Sequence, residues 1–346
     1  MRDRTLQALR DALLLDVRGR HMARLEMLYS GQGLGDVFVL SGIQQYTTDP
    51  GEGWPGWLET SLDELAEAAS VACDPVIFRP LAIDYDPYGV HFVDQIFGAE
   101  VFQMEDGSWQ ARCLATPVGT LEPPDLEASE TWARARAVAQ RFVELNVPGV
   151  LFGLPTISSP LNIAVNLYGE RILMAMMTEP EAAARDLRVI ADVLCCLHRW
   201  YRGNVPQPLL QCVIPAGRCQ PPGFGQLCGC STQLLSAGLY RDFIAPLDAE
   251  LLSVYTRGGM IHLCGVHTQH LRTWHEMTAL RAVQLNDRAA LDLAAYFSRL
   301  RDDQVIYVNP CERMPVERIL QITGGERVVV VADLKEPPRV SSHEKK

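Results

Sequence analysis

Short, wholly apolar runs alternate with longer amphipathic stretches through most of the chain. The apolar runs predict strands over 149–153, 209–214, 260–264, 282–285, 305–308 and 327–332. Between and beside them, the spacing of apolar residues predicts helices over 131–145, 178–202, 236–256, 268–277, 289–301 and 315–322. Strands that alternate with helices indicate parallel βαβ units, and runs that are apolar throughout are typical of a sheet covered on both faces.

This rhythm predicts an α/β fold, specifically a (β/α)8 TIM barrel over residues 76–335. Residues 1–75 are expected to form an N-terminal helical/β extension packed on the barrel, and residues 336–346 a disordered tail. Two capping boxes, Ser61–Glu64 and Thr178–Glu181, predict helix starts. An open doubly wound sheet is the alternative. The barrel is favoured because no glycine fingerprint opens the first βα unit, and the absence of a GxGxxG or Walker sequence also argues against nucleotide binding.

The charge balance limits the classes of partner. The formal net charge is −11 and the isoelectric point is near 5.2, so the surface repels phosphate backbones and anionic lipids. Nucleic acid and membrane are therefore not expected as partners. No apolar run reaches the roughly 18 residues of a membrane span. The first twenty residues resemble an amphipathic helix rather than a secretory signal, so we expect a cytoplasmic protein.

Ten cysteines are many for such a protein, and in a reducing compartment they are core residues, nucleophiles or metal ligands. Four in helical or apolar surroundings are expected to be packing residues: Cys73, Cys113, Cys195 and Cys196. Four more lie at irregular spacing without a Cys-x-x-Cys pair, which argues against a zinc ribbon: Cys212, Cys219, Cys228 and Cys230. We expect the Pro- and Gly-rich segment 215–230 to cover a substrate, with Cys230 as an extra thiol near the metal site that segment 258–265 predicts.

The segment GGMIHLCG at 258–265 carries the sharpest chemical signal. Residues two apart in a strand face the same side, so Met260, His262 and Cys264 should share one face. Active sites of barrels lie at the carboxyl ends of the strands, and His262 and Cys264 lie at that end of this strand. An imidazole and a thiolate held in parallel on a rigid strand form half of a zinc site. The alternative is a hydrogen-bonded core histidine beside an incidental cysteine.

Further ligands can come from the segments that follow the next strands. Cys311 follows the strand at 305–308, and Asp333 follows the last strand. His262, Cys264 and Cys311 would form a His-Cys-Cys set that leaves one position for a substrate. A thiol bound there would be held as thiolate near neutral pH, because the metal favours the charged form.

Several segments, taken in order along the chain, resemble the uroporphyrinogen decarboxylase superfamily. They are 84–98 (DYDPYGVHFVDQIFG), 155–169 (PTISSPLNIAVNLYG), 236–246 (SAGLYRDFIAP) and 260–265 (MIHLCG). The resemblance covers about residues 75–335 and implies the barrel fold. True decarboxylases of that family have an arginine-rich N-terminal motif, whereas this chain has no arginine from Gly31 to Asp49. The chain therefore looks closer to the branch of corrinoid- and zinc-dependent methyltransferases.

That resemblance implies Zn²⁺ as cofactor, a corrinoid carried on a partner protein, and a small-molecule methyl donor or acceptor. His262 and Cys264 match the branch's His-x-Cys pattern. The third ligand stays open: relatives place a cysteine after the last strand, where this chain has Asp333, and Cys311 lies one unit earlier. Asp333 completes the metal site or acts in catalysis with His267. A homodimer is expected by analogy.

Rim residues of the barrel are expected to orient the substrate: Asp84, Asn286 and Cys230. Two other functions stay open beside methyl transfer. One is metal-free decarboxylation or proton transfer on a carboxylated small molecule, in which Asp84 and Arg218 would act. The other is a non-catalytic protein that binds a corrinoid or tetrapyrrole.

Overall fold

The computed structural model describes residues 3–43, 53–211 and 215–332, and of Pro215 and Ala216 only the backbone. Its helices are α1 Asp3–Leu9, α2 Ala12–Tyr29, α3 Trp54–Glu67, α4 Ala69–Ala72, α5 Phe92–Ile96, α6 Glu130–Leu145, α7 Pro160–Tyr168, α8 Glu170–Thr178, α9 Pro180–Asn204, α10 Pro215–Arg218, α11 Ala237–Leu239, α12 Ala245–Ser253, α13 Leu271–Glu276, α14 Leu293–Arg299 and α15 Val316–Thr323. A π-helical turn, Tyr240–Ile244, joins α11 to α12.

The strands are β1 Phe38–Leu40, β2 Ile77–Phe78, β3 Ala82–Asp84, β4 Val101–Gln103, β5 Trp109–Ala111, β6 Leu151–Gly153, β7 Leu210–Gln211, β8 Gly225–Cys228, β9 Gly259–Cys264, β10 Leu280–Asn286, β11 Val305–Val308 and β12 Val328–Val331. Seven of them form a parallel sheet in the order β2-β1-β12-β11-β10-β9-β8, and three form a second parallel sheet in the order β3-β6-β7. The remaining pair, β4 and β5, is an antiparallel hairpin.

The two parallel sheets adjoin at both ends. At one end, residues 77–84 supply β2 to the first sheet and β3 to the second. At the other end, a parallel bridge joins Ser158, just after β6, to Cys228 of β8. This mixed α/β, mostly parallel architecture is consistent with a TIM-barrel-like fold. Over the described ranges the strand ladders form two sheets rather than one closed ring, so the eight-stranded count stays a prediction.

Alternation along the strands separates an inner layer of side chains from an outer one. Ile261 and Leu263 of β9 join the large cluster that packs against the helices. Met260 lies on the other face of β9, in a second apolar cluster with Phe38, Leu151 and Tyr307 from strands of both sheets. This second cluster therefore fills the inside of the fold. His262 and Cys264 follow Met260 on the same face, toward the carboxyl end of β9.

A return segment, residues 219–224, occupies the interior between the two sheets. Cys219 is fully buried in the inner cluster, and its carbonyl oxygen accepts a hydrogen bond from the Tyr307 hydroxyl at 2.7 Å. The Gln220 backbone N–H donates to Gln211 Oε1 at 2.9 Å, and its side-chain amide donates to the carbonyl oxygen of Gly225 at 2.9 Å. These bonds satisfy the polar groups of a chain segment that has left water.

The prediction that 215–230 forms a covering loop is therefore wrong for most of its length. After the return segment the chain enters β8, which pairs in parallel with β9 over Gly225–Cys228. Only four residues long, β8 has the sequence GQLC, with Gln226 and Cys228 facing inward and Leu227 outward. Because two of its four residues are a glycine and a glutamine, the hydrophobic pattern did not predict this strand.

Both predicted capping boxes are also wrong. Ser61 lies inside α3, which begins earlier, at Trp54. Thr178 ends α8, where its hydroxyl donates to the carbonyl oxygen of Met174, and α9 begins after it without a side-chain cap. The four-residue capping pattern also occurs within helices when tertiary packing extends them, and the amphipathic face of α3 is buried on both sides of Ser61.

The N-terminal segment packs closely against the rest of the chain. A Cβ placed on Gly149, just before β6, would lie 2.0 Å from the carbonyl oxygen of Leu9 and 2.9 Å from Leu14 Cδ2. Strand β1 comes from the same segment and pairs between β2 and β12, so the main sheet begins before residue 76. Asp333 and the tail 336–346 lie outside the described residues, and the domain limits stay predictions. None of the described helices combines the length and the apolar character that a membrane span requires.

Candidate metal centre

Three ligand-type side chains meet at the carboxyl ends of β8 and β9. The imidazole of His262 and the sulfurs of Cys230 and Cys264 lie within 4.8 Å of one another. His262 Nε2 is 3.3 Å from Cys264 Sγ. His262 is buried, and the two cysteines are partly buried. Two sulfurs and one imidazole nitrogen are a donor set that zinc prefers, and a three-ligand set leaves a coordination position for a substrate.

The orientation of the His262 ring is fixed by a residue on the neighbouring strand. Gln284 is opposite His262 in the parallel register of β9 and β10, and its Oε1 lies 2.7 Å from His262 Nδ1. The Gln284 amide N–H groups donate to Asn309 Oδ1 at 2.8 Å and to the carbonyl oxygen of Gly217 at 3.3 Å. Because the amide nitrogen is engaged there, the oxygen faces the ring and accepts the Nδ1–H. That leaves Nε2, which faces Cys264, as the ring nitrogen that can bind a metal.

Cys264 carries the most acidic thiol of the described chain. A hydrogen bond from the Cys230 thiol lowers the pKa of Cys264 to about 4, with His262 and Asn286 as further contributors and burial opposing them. Asn286 Nδ2 lies 3.8 Å from Cys264 Sγ. The same contact raises the pKa of Cys230, because its proton is held between the two sulfurs. Of the two thiols, that of Cys264 is therefore the one that ionises first.

Cys230 reaches the site through contacts between its loop and helix α7. The backbone N–H of Ser159, the N-cap of α7, donates to the carbonyl oxygen of Cys228 at 2.8 Å. Asn162, on the first turn of α7, accepts a hydrogen bond from the Ser231 backbone N–H at 2.9 Å. These two bonds hold the turn that carries Cys230 against the end of β9.

The residues predicted at the site occupy different positions. Cys311 lies outside the three-residue group, on a groove of about 780 Å³ at the rim that Asp287, Arg288 and Arg313 also line. His267 is fully buried behind the site: its Nε2–H donates to the carbonyl oxygen of Cys264 at 2.6 Å, and its Nδ1 is 2.9 Å from Thr232 Oγ1. The third ligand-type residue in the structure is thus Cys230, which the sequence analysis placed near the metal and among the substrate-binding residues but not among the ligands.

Asp84 lies at the carboxyl end of β3, on the inward face that Ala82 shares. Its Oδ1 is buried without a hydrogen-bond partner in the described part of the chain. Burial, with a smaller contribution from the charge of Asp86, raises the pKa of Asp84 to about 7, and Arg218 opposes both. A buried acid whose pKa is shifted this far is a candidate functional group.

No family model matches this chain, and no curated protein matches it in sequence. Among solved structures, a methyltransferase from Methanosarcina mazei is similar, with a TM-score of 0.61 and 12% sequence identity. The match covers 90% of this chain and 92% of that one. At such low identity the likeness extends to the fold over nearly the whole of both chains, and the chemistry must be argued from the site.

Proposed function

We propose that this protein is a zinc-dependent methyltransferase with a (β/α)8 barrel. It would move a methyl group between a corrinoid, carried on a partner protein, and a thiol or a methylated or methoxylated small molecule. The observation that carries the proposal is the meeting of Cys230, His262 and Cys264 at the carboxyl ends of β8 and β9. The likeness in fold to a methyltransferase supports the choice of reaction class.

Zinc in this site would act as a Lewis acid that holds a thiol acceptor as thiolate or polarises the oxygen of a methoxy group. The chain's own residues fit that role. His262 offers Nε2 because Gln284 accepts its Nδ1–H, an outer contact typical of zinc-binding histidines. Cys264 has the more acidic of the two thiols, and Asn286 donates to its sulfur. Cys230 would release its proton to solvent on binding a metal, because a cysteine ligand is bound as thiolate.

His267 is proposed as a positioning residue, because it holds the carbonyl of Cys264 and is shut off from the interior of the site. Asn286, Asp84 and Cys230 are still proposed to contact the substrate, with Cys230 now proposed as a metal ligand as well. For Asp333 and for the homodimer the expectation from the sequence is kept as part of the proposal.

Metal analysis of the purified protein tests the site. About one zinc per chain is expected, with zinc sharply reduced in Cys230→Ser, His262→Ala and Cys264→Ala. Cys311→Ser is the matched control, because Cys311 also follows a strand of the same sheet but lies outside the three-residue group. Full metal occupancy in His262→Ala and Cys264→Ala would refute the assignment of the site.

Turnover tests the reaction class. Methylcobalamin as donor and 2-mercaptoethanol as acceptor should give a methyl thioether, and a zinc chelator should abolish the reaction. Turnover that survives removal of zinc would contradict a zinc-dependent mechanism.

A further inference from the structure

Arg218 is a partly buried cation with an unusual partner. It ends helix α10, and its Nη1 donates to Cys228 Sγ at 3.4 Å. In the part of the chain that the structure describes, no carboxylate oxygen lies within 4.0 Å of its guanidinium. A thiol uses one of the five N–H donors of the guanidinium weakly, so the remaining donors are available to an anion.

Asp84 faces the same interior from the other sheet. Helix α10 contacts both β3 and β6, which brings Arg218 close enough to Asp84 to lower the pKa of its carboxyl, yet the two side chains form no ion pair. Oδ1 of Asp84 is buried and has no partner over the described ranges. Native structures leave few buried polar atoms unpaired, so the orphaned carboxyl points to a polar group that reaches it from outside the chain.

Arg218 adjoins the candidate metal centre. Cys228, which Arg218 contacts, is opposite His262 in the register of β8 and β9, and it lies two residues before Cys230. A molecule that reaches from the Cys-His-Cys group to Arg218 therefore crosses only the width of one strand pair, about 5 Å.

We propose that Arg218 and Asp84 form a subsite for a carboxylate, so that the methyl-bearing substrate of this centre is a small carboxylic acid. This inference rests on the proposed function. The guanidinium fork would take the carboxylate by two parallel hydrogen bonds. The protonated form of Asp84 would donate to it, whereas the ionised form would repel it. Because the pKa of Asp84 is raised to about 7, the protonated form is available near neutral pH.

The test compares two probes of nearly equal size and shape, the anion methoxyacetate and the neutral methoxyacetamide. Their binding to the zinc-loaded and the metal-free protein is measured by ligand-detected NMR titration. Wild-type protein should bind methoxyacetate at least about tenfold more tightly than the amide. Arg218→Gln should abolish that preference. Arg288→Gln is the matched control, since Arg288 is an exposed arginine on the rim after β10, and it should keep the preference.

Asp84→Asn separates the hydrogen-bond donor of Asp84 from its negative charge. The asparagine keeps a hydrogen-bond donor and removes the negative charge. At pH 8, about one unit above the pKa of Asp84, the variant should bind methoxyacetate up to about tenfold more tightly than wild type. The other charged groups that act on Asp84 are Asp86 and Arg218, and both are unchanged in this variant.

Three results would overturn the subsite: equal binding of the two probes to wild type, a preference that survives Arg218→Gln, or a preference lost in Arg288→Gln. Weaker binding in Asp84→Asn would remove Asp84 from it. Zinc content and thermal unfolding are measured on the same samples. A protein that fails to bind zinc but keeps the carboxylate preference refutes the proposed function alone, and a protein that binds zinc but lacks the preference refutes the subsite alone.

Discussion

The contact between Gln284 and His262 allows a direct test of how the metal centre is built. Gln284→Leu keeps the approximate volume of the side chain and removes the oxygen that accepts the Nδ1–H of His262. Without that acceptor the proton can move to Nε2, the nitrogen that faces Cys264 at 3.3 Å. Zinc binding must then first restore the other tautomer and leave a buried N–H without a partner.

The expected magnitude follows from these contacts. The bond is short, 2.7 Å, and His262 is 9% exposed, so water does not replace the lost acceptor effectively. Removal of such an outer partner typically lowers metal affinity about 10- to 100-fold, or about 1.4–2.7 kcal/mol. Gln284 also bonds Asn309 and Gly217, and the loss of those bonds weakens the metal-free protein as well as the zinc protein. The loss of these two bonds therefore changes zinc affinity little, because it affects both forms alike.

Competition with a colorimetric zinc chelator gives the dissociation constants. Gln226→Leu is the matched control, because Gln226 is a buried, inward-facing glutamine on the adjacent strand β8 and makes no bond to His262. Its zinc affinity should stay within about twofold of wild type. Unchanged affinity in Gln284→Leu would refute coordination through Nε2. An equal loss in both variants would show that the effect comes from general loosening of the interior.

Three other perturbations test the fold and the loop that carries Cys230. Gly149→Ala should destabilise the protein by about 1–3 kcal/mol, because the added Cβ would overlap the Leu9 carbonyl. In the control Gly203→Ala, in α9, the added Cβ meets nothing within 4 Å, so this variant should be neutral or stabilising in the same denaturant titration. Asn162→Ala should lower zinc affinity, whereas Asn162→Asp should keep it, since the carboxylate still accepts from the Ser231 N–H. Equal affinities in wild type and both variants would contradict the role of α7. Burial raises the pKa of Asp248 to about 7 from 3.8, so its neutral form stabilises the fold fully below about pH 4, and this contribution declines as pH rises through 7, by up to about 1.4 kcal/mol per pH unit. Asp248→Asn should remove that slope between pH 5 and 7. If the unfolding free energies of wild type and Asp248→Asn differ by the same amount across this range, the raised pKa of Asp248 is contradicted.

The parts of the fold that the sequence predicted well are those where both strand faces are apolar. Strand β11 was predicted at its observed limits, and β9 and β12 within one residue, because runs such as Val328–Val331 have few alternatives. The inward alternation of Met260, His262 and Cys264 follows from strand geometry alone, since a period of two does not depend on neighbouring strands.

The third ligand-type residue was harder to predict, because it depends on a pairing between distant segments. Cys230 lies 32 residues before His262 and reaches it only because β8 pairs with β9. The contact of Gln284 with His262 likewise depends on the register of β10. One signal in the sequence could have marked Gln284: it is a polar residue on the inward face of an otherwise apolar strand, where an unpaired amide is costly.

The return segment also determines how molecules reach the centre. With Cys219 and Phe224 packed between the sheets and Tyr29 of α2 beneath them, side chains fill the half of the fold nearest the amino ends of the strands. On that side the described side chains close the way to the centre. In the proposed methyl transfer, donor and acceptor would then both enter from the carboxyl ends of the strands, and a large partner protein bound there would limit the access of the small-molecule reactant.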